Sequence, residues 1–154
     1  MDVDRASVTG GVRVLVADDQ QAVLEAISRL LDGKFDVVAA VQDGECAVEA
    51  VSRLNPDLLL LDISMPVLSG IEAAARLKLS QTPCRAKLIF VTVHEDTDYV
   101  EAAFAVGARG YVLKQRLAVD LLPAIREVLK GGTFISPSTA DRDPLLPDPA
   151  LRTH

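Results

Sequence analysis

Five short apolar runs alternate with segments of helical spacing, and this alternation restricts the fold more than any other feature of the chain. The apolar runs cover residues 12–17, 35–41, 58–61, 86–91 and 110–113. Apolar side chains with helical spacing follow in residues 23–31, 43–54, 70–79, 97–106 and 121–130. Strands that alternate with helices through short connections are typical of βα units with a parallel sheet. The sequence therefore predicts an α/β fold.

The order of the strands follows from the same alternation. Five βα units predict a (βα)5 flavodoxin-like doubly wound parallel sheet with strand order 2-1-3-4-5. The switch point of that order lies between strands one and three. It would place Asp18 and Asp19, which follow strand one, beside Asp62, which follows strand three.

Reactive side chains follow four of the apolar runs: Asp18 and Asp19, Asp62, Thr92 and Lys114. Taken singly, each has an ordinary explanation, since an Asp after a strand often caps the next helix. Thr92 alone fits a strand or turn, and Lys114 alone fits a solvated charge. Ligands of open parallel sheets bind outside the carboxyl ends of the strands. The joint placement therefore predicts one acidic pocket with a hydroxyl and an ammonium group at its rim.

The predicted pocket calls for a cation. Two carboxylates about 5 Å apart repel each other by roughly 3 kcal/mol at an effective dielectric constant near 20. Carboxylate, carbonyl and water ligands suit hard divalent ions, so we expect Mg²⁺ or Mn²⁺. We assign Asp19 and Asp62 as direct ligands, Asp18 as a direct or water-mediated ligand, and the backbone carbonyl of Ser64 as a further ligand.

A carboxylate in such a site can also act as a nucleophile and form an acyl phosphate. Phosphoryl transfer mainly requires positioning and charge neutralisation, which the cation and Lys114 would supply. Asp62 is the predicted phosphoryl acceptor because it lies centrally in the sheet and next to the metal site. Thr92 would donate its hydroxyl to a phosphate oxygen.

Composition excludes several other classes of protein. The chain has 154 residues and a net charge of −6, so it lacks the basic surface expected of a domain that binds nucleic acid or anionic lipid. No apolar run reaches membrane-spanning length and no signal peptide is recognisable. Cys46 and Cys84 are its two cysteines, which we interpret as reduced thiols. A cytoplasmic location is expected.

The pattern divides the chain into three parts. Residues 1–11 are predicted to be a flexible segment, residues 12–135 the folded domain, and residues 136–154 a flexible Pro-rich tail or linker. Within the last helix, Asp120 is predicted as the N-cap. Pro123 would then lie in the first turn of a helix over residues 121–130, where its missing N–H has no intrahelical partner.

Four segments identify a family that the chain resembles. They are ADDQ at 17–20, DISMP at 62–66, FVTVHED at 90–96 and GARGYVLK at 107–114. From about residue 12 to 137 the sequence resembles bacterial two-component response-regulator receiver domains. TVHED, GARGYVLK and GGTFISP at 131–137 are most similar to the NarL/LuxR-type branch.

The resemblance implies roles for the residues of the pocket. Asp62 would accept phosphate from a histidine kinase or phosphotransfer protein, Asp18 and Asp19 would hold Mg²⁺, and Lys114 would pair with the phosphate. Thr92, with the aromatic side chain of strand five, would then reshape the face formed by helix four, strand five and helix five.

Other positions refine that comparison. The aromatic partner of the switch pair is Tyr111, and Ser64 and His94 occupy positions that tune phosphate lifetime in the family. Two positions depart from the family pattern: Val93 is bulkier than the small residue often found after the switch Thr, and Gln115 stands where many relatives carry Pro.

Three functions remain open from sequence alone. The first is a phospho-accepting receiver that controls a transcription regulator, with DNA bound by a helix-turn-helix domain outside this chain; the sequence allows a homodimer but does not choose its surface. The second is a single-domain or pseudo-receiver that acts by phosphorylation-independent protein contacts. The third is a phosphatase of the haloacid dehalogenase type, which would need an Asp where Ser64 stands. We therefore expect no enzyme beyond self-phosphorylation and self-dephosphorylation.

Overall fold

A computed structural model describes residues 11–80 and 85–137 and contains one parallel sheet. Its strands are Arg13–Ala17 (β1), Asp36–Val41 (β2), Leu58–Leu61 (β3), Lys87–Thr92 (β4), Gly110–Leu113 (β5) and Phe134–Ile135 (β6). They lie in the order β2-β1-β3-β4-β5-β6, and every neighbouring pair is parallel. The predicted order of the first five strands is confirmed.

Five α-helices connect these strands or follow them. They are Gln21–Leu31 (α1), Gly44–Leu54 (α2), Gly70–Lys78 (α3), Thr97–Ala105 (α4) and Leu117–Leu129 (α5), with a short 3-10 turn at Lys114–Arg116. The predicted α/β doubly wound fold is therefore confirmed. None of the helices in the described ranges is long and apolar enough to cross a membrane.

The sheet lies between two apolar layers. Side chains alternate along a strand, so Leu59 and Leu61 pack into one layer and Leu58 and Leu60 into the other. The first layer includes buried residues of α2, α3 and α4, and the second includes those of α1 and α5. Burial on both faces explains why β3 is apolar at every position.

Local signals fix the ends of two helices. The Asp43 side chain accepts the N–H of Cys46 at 2.8 Å and begins α2, while Asn55 ends it in the left-handed region at φ 49°. Ser69 and Glu72 form a reciprocal capping box at the start of α3. These caps set the length of the loops that approach the sheet edge.

The predicted start of the last helix was wrong. The helix begins at Leu117, and Asp120 lies inside its first turn instead of capping it. The carboxylate of Asp120 accepts from Arg116 Nε, four residues earlier, and from Ser136 Oγ after β6, each at 2.6 Å, and these contacts hold it in the helix. Pro123 therefore leaves the Val119 carbonyl without its usual intrahelical donor, on a turn where Val119 is exposed.

The end of the folded region also differs from expectation. A sixth strand, β6, was not predicted, and Ser136, assigned to the tail, is buried. The packed region therefore extends past the boundary placed at residue 135. Most of the predicted flexible segments at residues 1–11 and 136–154, namely residues 1–10 and 138–154, lie outside the described residues, as does Cys84. Cys46 is exposed and has a free thiol.

Candidate functional site

Three carboxylates meet at the carboxyl edge of the sheet. Asp18 and Asp19 follow β1, Asp62 follows β3, and the two strands pair so that Ala17 lies opposite Leu61. One carboxylate oxygen from each Asp lies within 4.8 Å of the others. Asp18 and Asp62 are buried, with 1% and 4% of their surface exposed, whereas Asp19 is exposed. The cluster is therefore open to solvent on the Asp19 side.

Lys114, the residue after β5, points its ammonium group into this cluster. Its Nζ lies 2.8 Å from Asp18 Oδ2 and 3.1 Å from Asp62 Oδ2. It also donates a longer hydrogen bond, 3.4 Å, to Gln20 Oε1. Sequence reasoning assigned no role to Gln20, although its position directly after the Asp pair was the available signal.

Backbone hydrogen bonds orient the two buried carboxylates. Asp18 Oδ1 accepts the N–H of Gln20 at 2.8 Å, and Asp62 Oδ1 accepts the N–H of Ile63 at 2.7 Å. Each carboxylate therefore has one oxygen held by the backbone and a second, Oδ2, directed toward Lys114. The Lys114 ammonium group, 2.8 Å away, is the charged partner of the buried Asp18 Oδ2.

The charges of the pocket do not balance. Burial raises the pKa of Asp62, and the neighbouring Asp18 charge raises it further, while Lys114 opposes both. Burial disfavours the charged form of Lys114, but its contacts with Asp18 and Asp62 outweigh this and raise its pKa. One ammonium group therefore compensates only part of the negative charge.

These properties fit a hard divalent cation. The three clustered carboxylates offer oxygen ligands, and the single ammonium group of Lys114 contacts two of them. Oxygen donors of this type suit Mg²⁺ or Mn²⁺ better than soft metals. The chain thus forms an acidic pocket that could bind a metal ion. The ligand role of the Ser64 carbonyl stays a prediction.

Thr92 and Tyr111 are connected through the backbone of His94. Thr92 Oγ1 accepts the His94 N–H at 3.2 Å, and the Tyr111 hydroxyl donates to the His94 carbonyl at 2.8 Å. Both side chains are almost fully buried. Burial, with a smaller contribution from the neighbouring Tyr99, raises the pKa of Tyr111, so its hydroxyl stays a donor. One peptide segment therefore contacts both predicted switch residues.

The His94 side chain connects two loops at the carboxyl edge of the sheet. Its Nε2 lies 2.8 Å from Ser64 Oγ, which joins the loop after β3 to the loop after β4. Its ring stacks on Tyr99 with centroids 4.1 Å apart and planes inclined by 19°. Sequence reasoning did not find Tyr99, because an aromatic residue in the first turn of a helix carries no distinctive signal.

The two departures from the family pattern have defined environments. Val93 is 58% exposed, so most of its side chain lies outside the core. Gln115 lies in the 3-10 turn after β5 and donates to Glu95 Oε2 at 2.7 Å. All peptide bonds in the described residues are trans, including the bond between Lys114 and Gln115.

The loop between β3 and α3 is tightly constrained. A side chain at Gly70 would collide with the carbonyl oxygen of Asp62, so α3 can begin this close to the sheet only with glycine there. Val67, in the same loop, has a φ of 71° and is 75% exposed. This conformation is unfavourable for a β-branched residue. Such strain often occurs near functional sites.

Comparison with known proteins agrees with this geometry. Residues 14–126 match the model of the response regulator receiver domain. The chain is 38% identical over 128 residues to the transcriptional regulatory protein DegU of Brevibacillus brevis, covering 82% of this chain and 53% of DegU. It is equally similar to the uncharacterized transcriptional regulatory protein YvfU of Bacillus subtilis, covering 63% of that protein. The chain thus spans between half and two thirds of these relatives.

Solved structures give the same result. The two-component response regulator of the LuxR family from Aurantimonas sp. SI85-9A1 superimposes with a TM-score of 0.76 at 30% identity, covering 84% of this chain and 92% of that one. The signal receiver domain of the putative response regulator NarL from Mycobacterium tuberculosis gives 0.72 at 30% identity, covering 78% and 97%. The isolated REC domain of RcsB from Salmonella enterica, determined with the phosphomimetic BeF3-, gives 0.74 at 26% identity, covering 84% and 96%.

Proposed function

This chain belongs to the response regulator receiver domain family, within the NarL/LuxR-type regulators of two-component systems. On this premise we propose that Asp62 accepts a phosphoryl group from a histidine kinase or phosphotransfer protein. The observation that carries the proposal is the position of Asp62 Oδ2, 3.1 Å from Lys114 Nζ within the carboxylate cluster. A buried carboxylate, an ammonium group and an acidic cluster that could bind a metal ion lie together, and this supports the proposal.

The side chains divide the transfer among them. Asp18, Asp19 and Asp62, with the Ser64 carbonyl, would hold Mg²⁺ or Mn²⁺, which neutralises charge on the transferred group. Asp62 Oδ2, the oxygen not engaged by the Ile63 amide, attacks phosphorus as the carboxylate. The P–N bond of the phosphohistidine breaks, and the released imidazole takes up a proton. Lys114 then forms an ion pair with the new acyl phosphate.

The signal passes through His94 in this proposal. The Thr92 hydroxyl accepts the His94 N–H, and its own O–H would donate to a phosphate oxygen, which draws Thr92 and the attached His94 segment toward the phosphate. Movement of this segment changes the carbonyl to which Tyr111 donates, at the face formed by α4, β5 and α5. Phosphate therefore shifts the population between two arrangements of that face only if it binds one of them more tightly.

The proposed downstream effect of the domain is based on relatives that are named as transcriptional regulatory proteins. We propose that this domain controls a cytoplasmic transcription regulator, whose DNA-binding part lies outside this chain, and that phosphorylation acts through homodimer formation. We further propose that the folded domain does not itself bind nucleic acid, since the chain has a net charge of −6. A phosphorylation-independent pseudo-receiver is the alternative, and partner affinity that does not respond to phosphorylation would favour it.

Intact mass measurement tests the proposal. The protein is incubated with acetyl phosphate or phosphoramidate, with and without Mg²⁺. Wild type and Asp32→Asn, which changes an exposed Asp outside the pocket, are expected to gain one phosphate, and Asp62→Asn none. No gain in wild type, or equal gain in Asp62→Asn, contradicts the proposal. Sustained hydrolysis of a phosphomonoester would contradict the absence of enzymatic turnover.

A further inference from the structure

A second buried polar cluster lies outside the acidic pocket. Five polar or charged side chains in the described ranges are buried, and three of them are Asp18, Asp62 and Thr92. The other two are Asp120, on α5, and Ser136, which directly follows β6. The phosphoryl-transfer mechanism above uses neither of them. Buried polar groups are costly unless hydrogen-bonded, so their partners indicate what they do.

Ser136 uses both hydrogen-bonding capacities of its hydroxyl. Its Oγ donates to Asp120 Oδ2 at 2.6 Å and accepts the backbone N–H of Leu113 at 3.1 Å. Its own backbone N–H donates to the Tyr111 carbonyl at 2.8 Å. Asp120 in turn receives two hydrogen bonds from Arg116, Nε to Oδ2 at 2.6 Å and Nη2 to Oδ1 at 3.1 Å.

These contacts hold the chain on both sides of Lys114. Leu113 immediately precedes Lys114 and is tied to Ser136, while Arg116 lies two residues after it and is tied to Asp120. Since Ser136 joins Asp120 as well, one hydroxyl links both attachments. The backbone between them carries the ammonium group that reaches Asp62.

We propose that Ser136 is a positioning residue for Lys114, and that the end of β6 is thereby coupled to the acidic pocket. The inference rests on the proposed function, in which Lys114 pairs with the phosphoryl group. Withdrawal of Ser136 removes the acceptor of the Leu113 N–H and frees the turn that carries Lys114. Because coupling is reciprocal, a phosphoryl group held by Lys114 strengthens the attachment of Ser136.

The test compares Ser136→Ala with Ser52→Ala, which removes a hydroxyl from an exposed site on α2. Without Mg²⁺ or phosphate analogue, amide exchange of Leu113 is expected to be at least about tenfold faster in Ser136→Ala, since one buried hydrogen bond is lost. Beryllofluoride affinity with Mg²⁺ is expected to fall about tenfold. Mg²⁺ affinity alone stays within about twofold, because its ligands are untouched. Ser136→Thr, which keeps the hydroxyl, restores the affinity.

Each outcome of this test supports or overturns the positioning role of Ser136. Beryllofluoride affinity that is equal in wild type and Ser136→Ala overturns the positioning role, even if the variant melts at a lower temperature. Unchanged exchange at Leu113 overturns it as well. Should Ser136→Ala fail to fold, Asp120→Asn weakens the same link with little change of shape and must lower beryllofluoride affinity. Absence of beryllofluoride binding by wild type and Ser52→Ala contradicts the proposed function and, with it, the role of Ser136.

Discussion

Val67 places a β-branched side chain where the backbone favours glycine. Its φ of 71° costs about 1–2 kcal/mol for an L-residue, and its exposed side chain contributes little packing. We expect Val67→Gly to raise the free energy of unfolding by about 0.5–1 kcal/mol, because relief of strain outweighs the added backbone entropy of the unfolded chain. Urea denaturation followed by circular dichroism measures this change.

The control for that prediction is another exposed valine in an ordinary conformation. Val119 is 63% exposed within α5. Val119→Gly should lower stability by about 0.5 kcal/mol, since glycine is a poorer helix former. A loss of stability in both variants would show that the backbone of Val67 is unstrained.

Asp62 makes stability depend on pH in a defined direction. Its folded-state pKa lies above the reference value of 3.8, mainly because of burial and the Asp18 charge. Between these two pKa values the folded state binds more protons, so stability falls as pH rises through that window. Asp62→Asn cannot titrate and should be more stable than wild type at pH 7 without metal, by about 1 kcal/mol. The difference should vanish below about pH 3.8.

The dependence of stability on pH at alkaline values tests Lys114, the partner of Asp62. The folded-state pKa of Lys114 is raised above 10.5, so its contribution is present below that pH and is lost as pH rises through the raised pKa. Asp62→Asn, which removes the Asp62 charge, should reduce this loss of stability at alkaline pH. Thermal melting of wild type and Asp62→Asn in EDTA over a pH series measures the change of stability at acidic and at alkaline pH. A constant difference between the two proteins would contradict the assignment to these groups.

At the scale of elements, α5 contains a proline that lowers the stability of the fold. Pro123 is the seventh residue of the helix and is exposed, so its ring adds little packing while it removes the hydrogen bond to Val119. We expect Pro123→Ala to stabilise the protein by about 1 kcal/mol, the restored helical bond outweighing the greater entropy of the unfolded chain. Chemical denaturation gives the value.

An exposed proline in a loop provides the comparison for Pro123. Pro66 lies between β3 and α3, where no helical hydrogen bond is lost. Pro66→Ala should therefore destabilise the protein by a few tenths of a kcal/mol through unfolded-state entropy alone. Destabilisation by both substitutions would mean that α5 tolerates its proline without cost.

The accuracy of sequence reasoning differs among the elements for a physical reason. β3 and β5 were predicted to the residue because burial on both faces makes every position apolar and turn residues mark their ends. The start of α5 was missed because Asp120, which resembles a cap, is bound by Arg116 and Ser136 from outside the helix. β6 has two residues, which is too short for any periodicity.

At the scale of the whole molecule, the strand order determines which side chains meet. Placing β3 beside β1 brings Asp62 to the Asp pair, and β5 contributes Lys114 from further along the sheet. The rule that ligands bind at the carboxyl edge was sufficient to predict this gathering from sequence. It could not predict that Thr92 and Tyr111 share the His94 backbone, because that contact depends on the path of a loop.

Because the pocket is built from three separate strands, a metal bound there should stabilise the entire fold. Binding to the folded state alone adds about 2.7 kcal/mol at a free Mg²⁺ concentration one hundred times the Kd. We expect the melting temperature of wild type to rise with Mg²⁺ and the rise to shrink at acidic pH, as protons compete for the raised pKa of Asp62. Asp19→Asn, at the exposed member of the carboxylate cluster, should change metal-free stability by less than about 0.5 kcal/mol.

Wild type, Asp19→Asn and Asp32→Asn together test whether the carboxylate cluster binds Mg²⁺. Asp19→Asn should lose most of the Mg²⁺-dependent rise, whereas Asp32→Asn, also an exposed Asp but outside the cluster, should keep it. Differential scanning calorimetry over a Mg²⁺ series gives the rise for each protein. An equal rise in all three would mean that Mg²⁺ stabilises the fold through diffuse charge screening, and the carboxylate cluster would then not be a metal site.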